Sequence, residues 1–138
     1  MDILFAYAFR LDANHPAVNR LLRQANAEAR LHPGDPPRIH LWEILRDMGD
    51  EFVPKNSEES DAAFDVYGDN GKYAVGFRLT SNLDMNYDNL EPAFVPIPQI
   101  HGSASLPPNF RTFLERLSVK LYGDRTHLPE EMMVFWPH

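Results

Sequence analysis

From Phe64 to Leu79 apolar and polar side chains alternate, a period that suits extended chain and no helix. Phe64 and Val66 flank Asp65. Beyond Gly68-Asp69-Asn70-Gly71, the residues Tyr73, Val75, Phe77 and Leu79 interleave with Lys72, Ala74, Gly76, Arg78 and Thr80. Two alternating runs around a Gly/Asn/Asp turn predict a β-hairpin with one apolar and one wet face. The second strand's opposite face carries Ala74 and Gly76, small enough for a helix or another backbone to approach closely.

The remaining elements are those that cover such a face. Ile3–Phe9 is a seven-residue apolar run with aromatics at 5, 7 and 9, the pattern of a strand buried on both sides. Asn14-His15-Pro16 supplies a cap and an early proline. Val18, Leu21, Leu22, Ala25 and Ala29 then mark one face of a helix that has Arg20, Arg23 and Arg30 on or near the other and ends at His32-Pro33-Gly34. Asp35-Pro36-Pro37 is expected to cap a second helix, whose stripe of Ile39, Trp42, Leu45 and Met48 is widened by Leu41 and Ile44 and closed by Gly49. A third helix runs from about Pro107-Pro108 to Tyr122, with Phe110, Phe113, Leu114, Leu117 and Leu121 on its stripe and Gly123 as its stop.

"AFVPIPQI" and "MMVFW" read as further strands. Pro96 and Pro98 share parity and remove two N–H groups along one side, which marks a blunted sheet edge. The predicted order is β-α-α-β-β-β-α-β: an α+β fold, a mostly antiparallel sheet of four to five strands with about three helices on one face. A chain of 138 residues makes one domain, 1–138, able to bury about two-thirds of its unfolded surface. Its one segment expected to be mobile is the acidic loop 50–61.

The chain has no cysteine, which removes disulfides, thiolate nucleophiles and thiolate-held metals. Its apolar N-terminal run follows Asp2 and not a basic region, and is too short for a signal peptide or a membrane span. A cytoplasmic location is expected.

Charge is the most informative feature. The net charge is −7, and residues 50–92 hold ten acids against Lys55, Lys72 and Arg78, while the flanking thirds are each balanced. An acidic excess disfavours nucleic acid and anionic membranes, both of which are bound through Lys and Arg.

Three patterns invite chemistry. Asp84, Asn86 and Asp88 occupy alternate positions, as the first ligands of a calcium loop do, with Glu91 available as a fourth oxygen donor. The sixth position is Asn89 and the twelfth Val95, so the loop lacks its glycine and its bidentate glutamate; no metal and no cofactor is expected. Histidines 15, 32, 40, 101, 127 and 138 include two His-x-x-Glu pairs, at His40/Glu43 and His127/Glu130. Neither has the second histidine of a zinc-peptidase motif, and surface or helix-end roles are expected. His101-Gly-Ser-Ala-Ser105 lacks the second glycine of a nucleophile elbow, and the hairpin glycines make no phosphate loop. No catalytic residue is assigned. Trp42 is expected in the core.

The leading expectation is therefore a non-enzymatic interaction module that binds a basic protein through an acidic face. In size and charge, though in no motif, it is comparable to bacterial immunity proteins and inhibitors that occlude a basic toxin or enzyme. Asp65, Asp69, Asp84, Asp88 and Glu91 are the expected contacts, with Tyr87 as an aromatic anchor. The alternative is a small enzyme or small-ligand binder whose pocket uses His32, His40 or His101. Oligomeric state is left open.

Overall fold

The computed structural model describes residues 2–52, 64–69, 71–79, 83–84, 93–96 and 108–136. In chain order the elements are β1 (Asp2–Leu11), α1 (Pro16–Leu31), α2 (Pro37–Met48), a 3₁₀ turn (Asp50–Phe52), β2 (Phe64–Asp69), β3 (Lys72–Arg78), β4 (Leu83–Asp84), β5 (Ala93–Pro96), α3 (Pro108–Tyr122) and β6 (Glu130–Trp136). The fold is α+β as expected, with five strands in the order β2-β3-β1-β6-β5 and the two-residue β4 added against the start of β1. Every pairing among the described strands is antiparallel. β1 is central, and β6, last in the chain, lies between it and β5. β5 is an edge, where Pro96 costs no ladder bond on the outer side; Pro98 lies outside the described residues.

Register sorts the sheet into two faces. Tyr7, Phe9 and Leu11 lie opposite Phe77, Val75 and Tyr73, and Phe64 and Val66 continue the row onto β2. All three described helices pack on this face. Val18, Leu21 and Ala25 of α1, Leu41 and Leu45 of α2, and Phe113, Leu114, Leu117 and Leu121 of α3 join those strand residues in one buried cluster. The stripes expected for α1 and α3 hold the residues that are buried, whereas on α2 the buried line is His40, Leu41 and Leu45, with Trp42, Ile44 and Met48 half-buried and Ile39 exposed. Trp42 packs at the margin of the cluster, where its indole N–H donates to the Phe64 carbonyl at 2.8 Å and ties α2 to the edge strand.

Two details of helix entry differ from expectation or sharpen it. α2 begins from Pro36 in extended conformation with no side-chain cap, so Asp35 does not serve as one. α1 begins at His15, whose Nδ1 accepts the Ala17 N–H at 3.2 Å, with Pro16 in the first turn. His15→Ala removes that acceptor and should cost about 1 kcal/mol in urea unfolding, while His15→Asn keeps an acceptor and should cost less than half as much. Equal losses in both variants would assign the ring a packing role instead.

The opposite face of the sheet is drier than the alternation suggests. Leu4, Ala6, Ala8, Tyr67, Ala74, Met132 and Val134 form a second buried cluster there, to which none of the three described helices contributes. The wet face predicted for the hairpin is thus confined to its ends, at Asp69, Lys72 and Arg78. Small side chains make this possible, because Gly76 faces Ala8 across the ladder and lets β1 and β3 close to backbone contact. The hairpin turn is the two-residue connection after Asp69, which lies opposite Lys72, and Gly71 takes φ +80° as such a turn requires.

Candidate functional site

The expected acidic contacts do not share one setting. Asp69 is exposed beside the hairpin turn, with the cation Lys72 opposite in register. Asp65 sits half-buried on β2, where one carboxylate oxygen accepts the Val66 N–H at 2.8 Å. Burial pushes its carboxyl above the usual range, against the pull of that N–H and of Arg38 and Arg78. Asp84 is on β4, opposite Asp2 in register. Asn86, Tyr87, Asp88 and Glu91 lie outside the described residues, as do His101, the 101–105 segment, His138 and residues 53–61 of the acidic loop. The start of that loop has regular structure. Asp50–Phe52 forms a 3₁₀ turn held by Lys120, whose ammonium donates to the Met48 carbonyl at 2.8 Å and to Glu51 at 2.6 Å.

The raised carboxyl of Asp65 gives a pH prediction with a definite sign. The folded state holds this proton more tightly than the unfolded chain, so the contribution is complete at low pH and is lost as pH rises through the folded value. Asp65→Asn removes that loss. The variant should be more stable than wild type near neutrality, with the difference shrinking as pH falls into the ordinary carboxylate range. Urea midpoints over a pH series measure this, and a difference that widens at low pH would contradict the assignment.

The four described histidines fall into two clusters. His32 and His40, from either side of the α1–α2 corner, stack with ring centroids 5.7 Å apart; His40 is buried and its Nε2 has no hydrogen-bond partner among the described residues. A surface role thus fails for His40. His32 closes α1, with Glu28 one turn back at 3.8 Å.

A second cluster joins positions more than one hundred residues apart. Tyr122 stacks flat on His127 with centroids 3.8 Å apart, and His15 meets the same tyrosine edge-on at 4.9 Å. The Tyr122 hydroxyl donates to the Arg10 carbonyl at 2.7 Å and accepts the Asp12 N–H at 2.9 Å. The Thr126 hydroxyl lies 2.5 Å from an Asp124 oxygen and 2.9 Å from His127 Nδ1. A carboxylate can only accept, so the single threonine proton goes to Asp124 and His127 Nδ1–H donates to the threonine. Neutral His127 therefore carries its lone pair on Nε2, whereas His15, whose Nδ1 accepts from Ala17, carries its proton on Nε2. Hydrogen bonds from the Thr126 side chain and backbone, and then the neighbouring histidines, hold the exposed Asp124 carboxyl below its usual range. One acceptor and one donor imidazole thus flank Tyr122, and the same contacts fasten the 123–129 connection to the β1–α1 turn.

A groove completes the inventory. It has a volume of about 470 Å³ and runs between the 3₁₀ turn and the outer face of α3, lined by Phe52, Thr112, Glu115, Arg116, Val119, Lys120 and Arg125. Among the described residues, no group of three or more His, Asp or Glu side chains is placed to hold a metal ion, and no helix is long and apolar enough to cross a membrane. Compared with family models, with curated proteins and with solved structures, the chain finds no match. Among the described residues the fold is an antiparallel α+β sheet with a helical layer packed on one face.

Proposed function

We propose that the protein is a non-enzymatic interaction module that captures a basic protein partner through the acidic middle third of the chain, in the manner of an inhibitor or immunity protein. The observation that carries this reading is the charge distribution, with the entire excess of seven acids inside residues 50–92. The histidine clusters lend support by their occupation, since His15 caps α1 and His127 packs flat against Tyr122. Asp69, Asp84, Asp88 and Glu91 are the proposed contacts and Tyr87 the anchor. Asp65, half-buried near two arginines, contributes to the field more than to direct contact. Concentrated negative charge speeds encounter with a cationic surface. The test is affinity capture from the native host with wild type beside an Asp84/Asp88/Glu91→Lys variant. A single basic protein held by wild type, released by salt and lost in the variant is the expected result. Identical capture by both baits would sink the proposal.

The buried Nε2 of His40, without a hydrogen-bond partner among the described residues and beside His32, favours one second reading, a small-ligand site at the α1–α2 corner. His40→Leu separates the two. If the ring only packs, the apolar variant should be as stable as wild type or more so, because no buried polar atom is left unpaired.

A further inference from the structure

We propose that the groove between the 3₁₀ turn and α3 is a docking site for an extended acidic segment of a partner protein. This goes beyond the acidic-face reading and does not depend on it: the groove has the opposite sign. Three of its seven lining side chains are cationic and one, Glu115, is acidic. Their arrangement is specific. Arg116 and Lys120 both sit over the Phe52 ring, at 5.9 and 5.6 Å from its centroid. Lys120 is fixed by Glu51 and the Met48 carbonyl, which anchors the turn that forms one wall. Among the described residues neither Arg116 nor Arg125 has a carboxylate partner, so two guanidinium forks, suited to bidentate carboxylate recognition, border the groove. Glu115 is drawn inward by the Tyr7 hydroxyl, which donates to it at 3.3 Å. Between the charges, Val119 and Phe52 offer an apolar floor.

Shape selects among anionic occupants. The groove follows α3 from Thr112 to Lys120, about 12 Å at the helical rise, which is the length of about four residues of extended chain. It is open along its length and so cannot enclose a compact ligand on most of its surface, as small-molecule sites do. Two guanidinium groups and a Lys120 already paired with Glu51, interrupted by Glu115, on a chain of net charge −7, are too few to neutralise a nucleic-acid backbone. A short acidic segment with one apolar side chain fits: carboxylates toward Arg116 and Arg125, the apolar group on Val119 and Phe52.

The experiment uses the full chain and fluorescein-labelled hexapeptides of Asp and Glu around one central Leu. It compares them with the same peptides carrying Lys for Asp and Glu, and with single-stranded DNA of equal charge. Binding is followed by anisotropy at low and high salt, and mapped by amide chemical shifts. The acidic peptides should bind, with shifts concentrated at 112–125 and Phe52. R116E and R125E should each weaken them about tenfold or more, and R116K should weaken them less. These side chains are exposed or border solvent, so unchanged thermal midpoints are the folding control. The Asp84/Asp88/Glu91→Lys variant should retain peptide binding, which keeps failure here distinct from failure of the acidic-face reading. Shifts spread equally over Arg20, Arg23 and Arg30 of α1, no binding, or tighter binding of the DNA would each overturn the proposal.

Discussion

Gly76→Ala is expected to lower stability by about 3 kcal/mol or more, beyond the usual cost of one extra buried methyl. The reason is the partner of the collision. A Cβ at this position would run into the Tyr7 carbonyl oxygen and come within 2.6 Å of Ala8 Cα and 2.7 Å of Ala8 Cβ. Those are mostly backbone atoms of the central strand, so no side chain can rotate away. Relief requires β1 and β3 to separate, at the pairing on which the rest of the sheet is built. Gly71 is the control. It has φ +80° with nothing within 4 Å of a built Cβ, and Gly71→Asn should cost about 1 kcal/mol or less, since asparagine tolerates that conformation. Denaturant midpoints measure both, and equal losses at the two positions would contradict the close-approach account.

The neighbouring residue fails for the opposite reason. Phe77 is fully buried at the meeting point of sheet and helices, stacked on Phe110 at 5.0 Å and tilted against Phe64 and Phe113 at 6.0 and 6.1 Å. Phe77→Ala empties that junction and should cost about 3–5 kcal/mol, a large part of the ~5–15 kcal/mol that holds an ordinary domain together. Phe77→Leu keeps most of the volume and should cost roughly half as much. If alanine and leucine were equally tolerated, the aromatic junction would not be the centre of the core.

What was legible in the chain was its periodicity. The hairpin of Phe64–Arg78 and the stripes of α1 and α3 are local patterns that burial follows, while on α2 the buried line falls on His40, Leu41 and Leu45 and leaves Ile39 exposed. Strand order is not local: β6 reaches its place beside β1 through pairings such as Leu4 with Val134, which no window of sequence contains. The second buried face was half legible, since Ala74 and Gly76 announce a close approach without saying that it is β1 that comes. Composition could not separate Asp65 from the exposed acids, because its half-burial depends on which face β2 turns inward. The His15–Tyr122–His127 cluster had no linear signal beyond the Asp124–Thr126 turn. Likewise the groove borrows one wall, Phe52, from a stretch whose composition reads as loop.

The two proposals rest on features of opposite sign, an acid-rich middle third of the sequence and a groove along α3 lined by Arg116, Lys120 and Arg125. A partner of mixed charge would be oriented by both, and one of simple basic character by the first alone.

The most direct measurement on the central proposal is the association rate of the captured partner as a function of salt, by stopped flow, for wild type and the Asp84/Asp88/Glu91→Lys variant. Steering by the acidic third predicts a wild-type rate that falls steeply as salt rises. The charge-reversed chain should associate slowly at all salt concentrations, while dissociation changes far less. Equal association rates for both chains, indifferent to salt, would contradict the proposal.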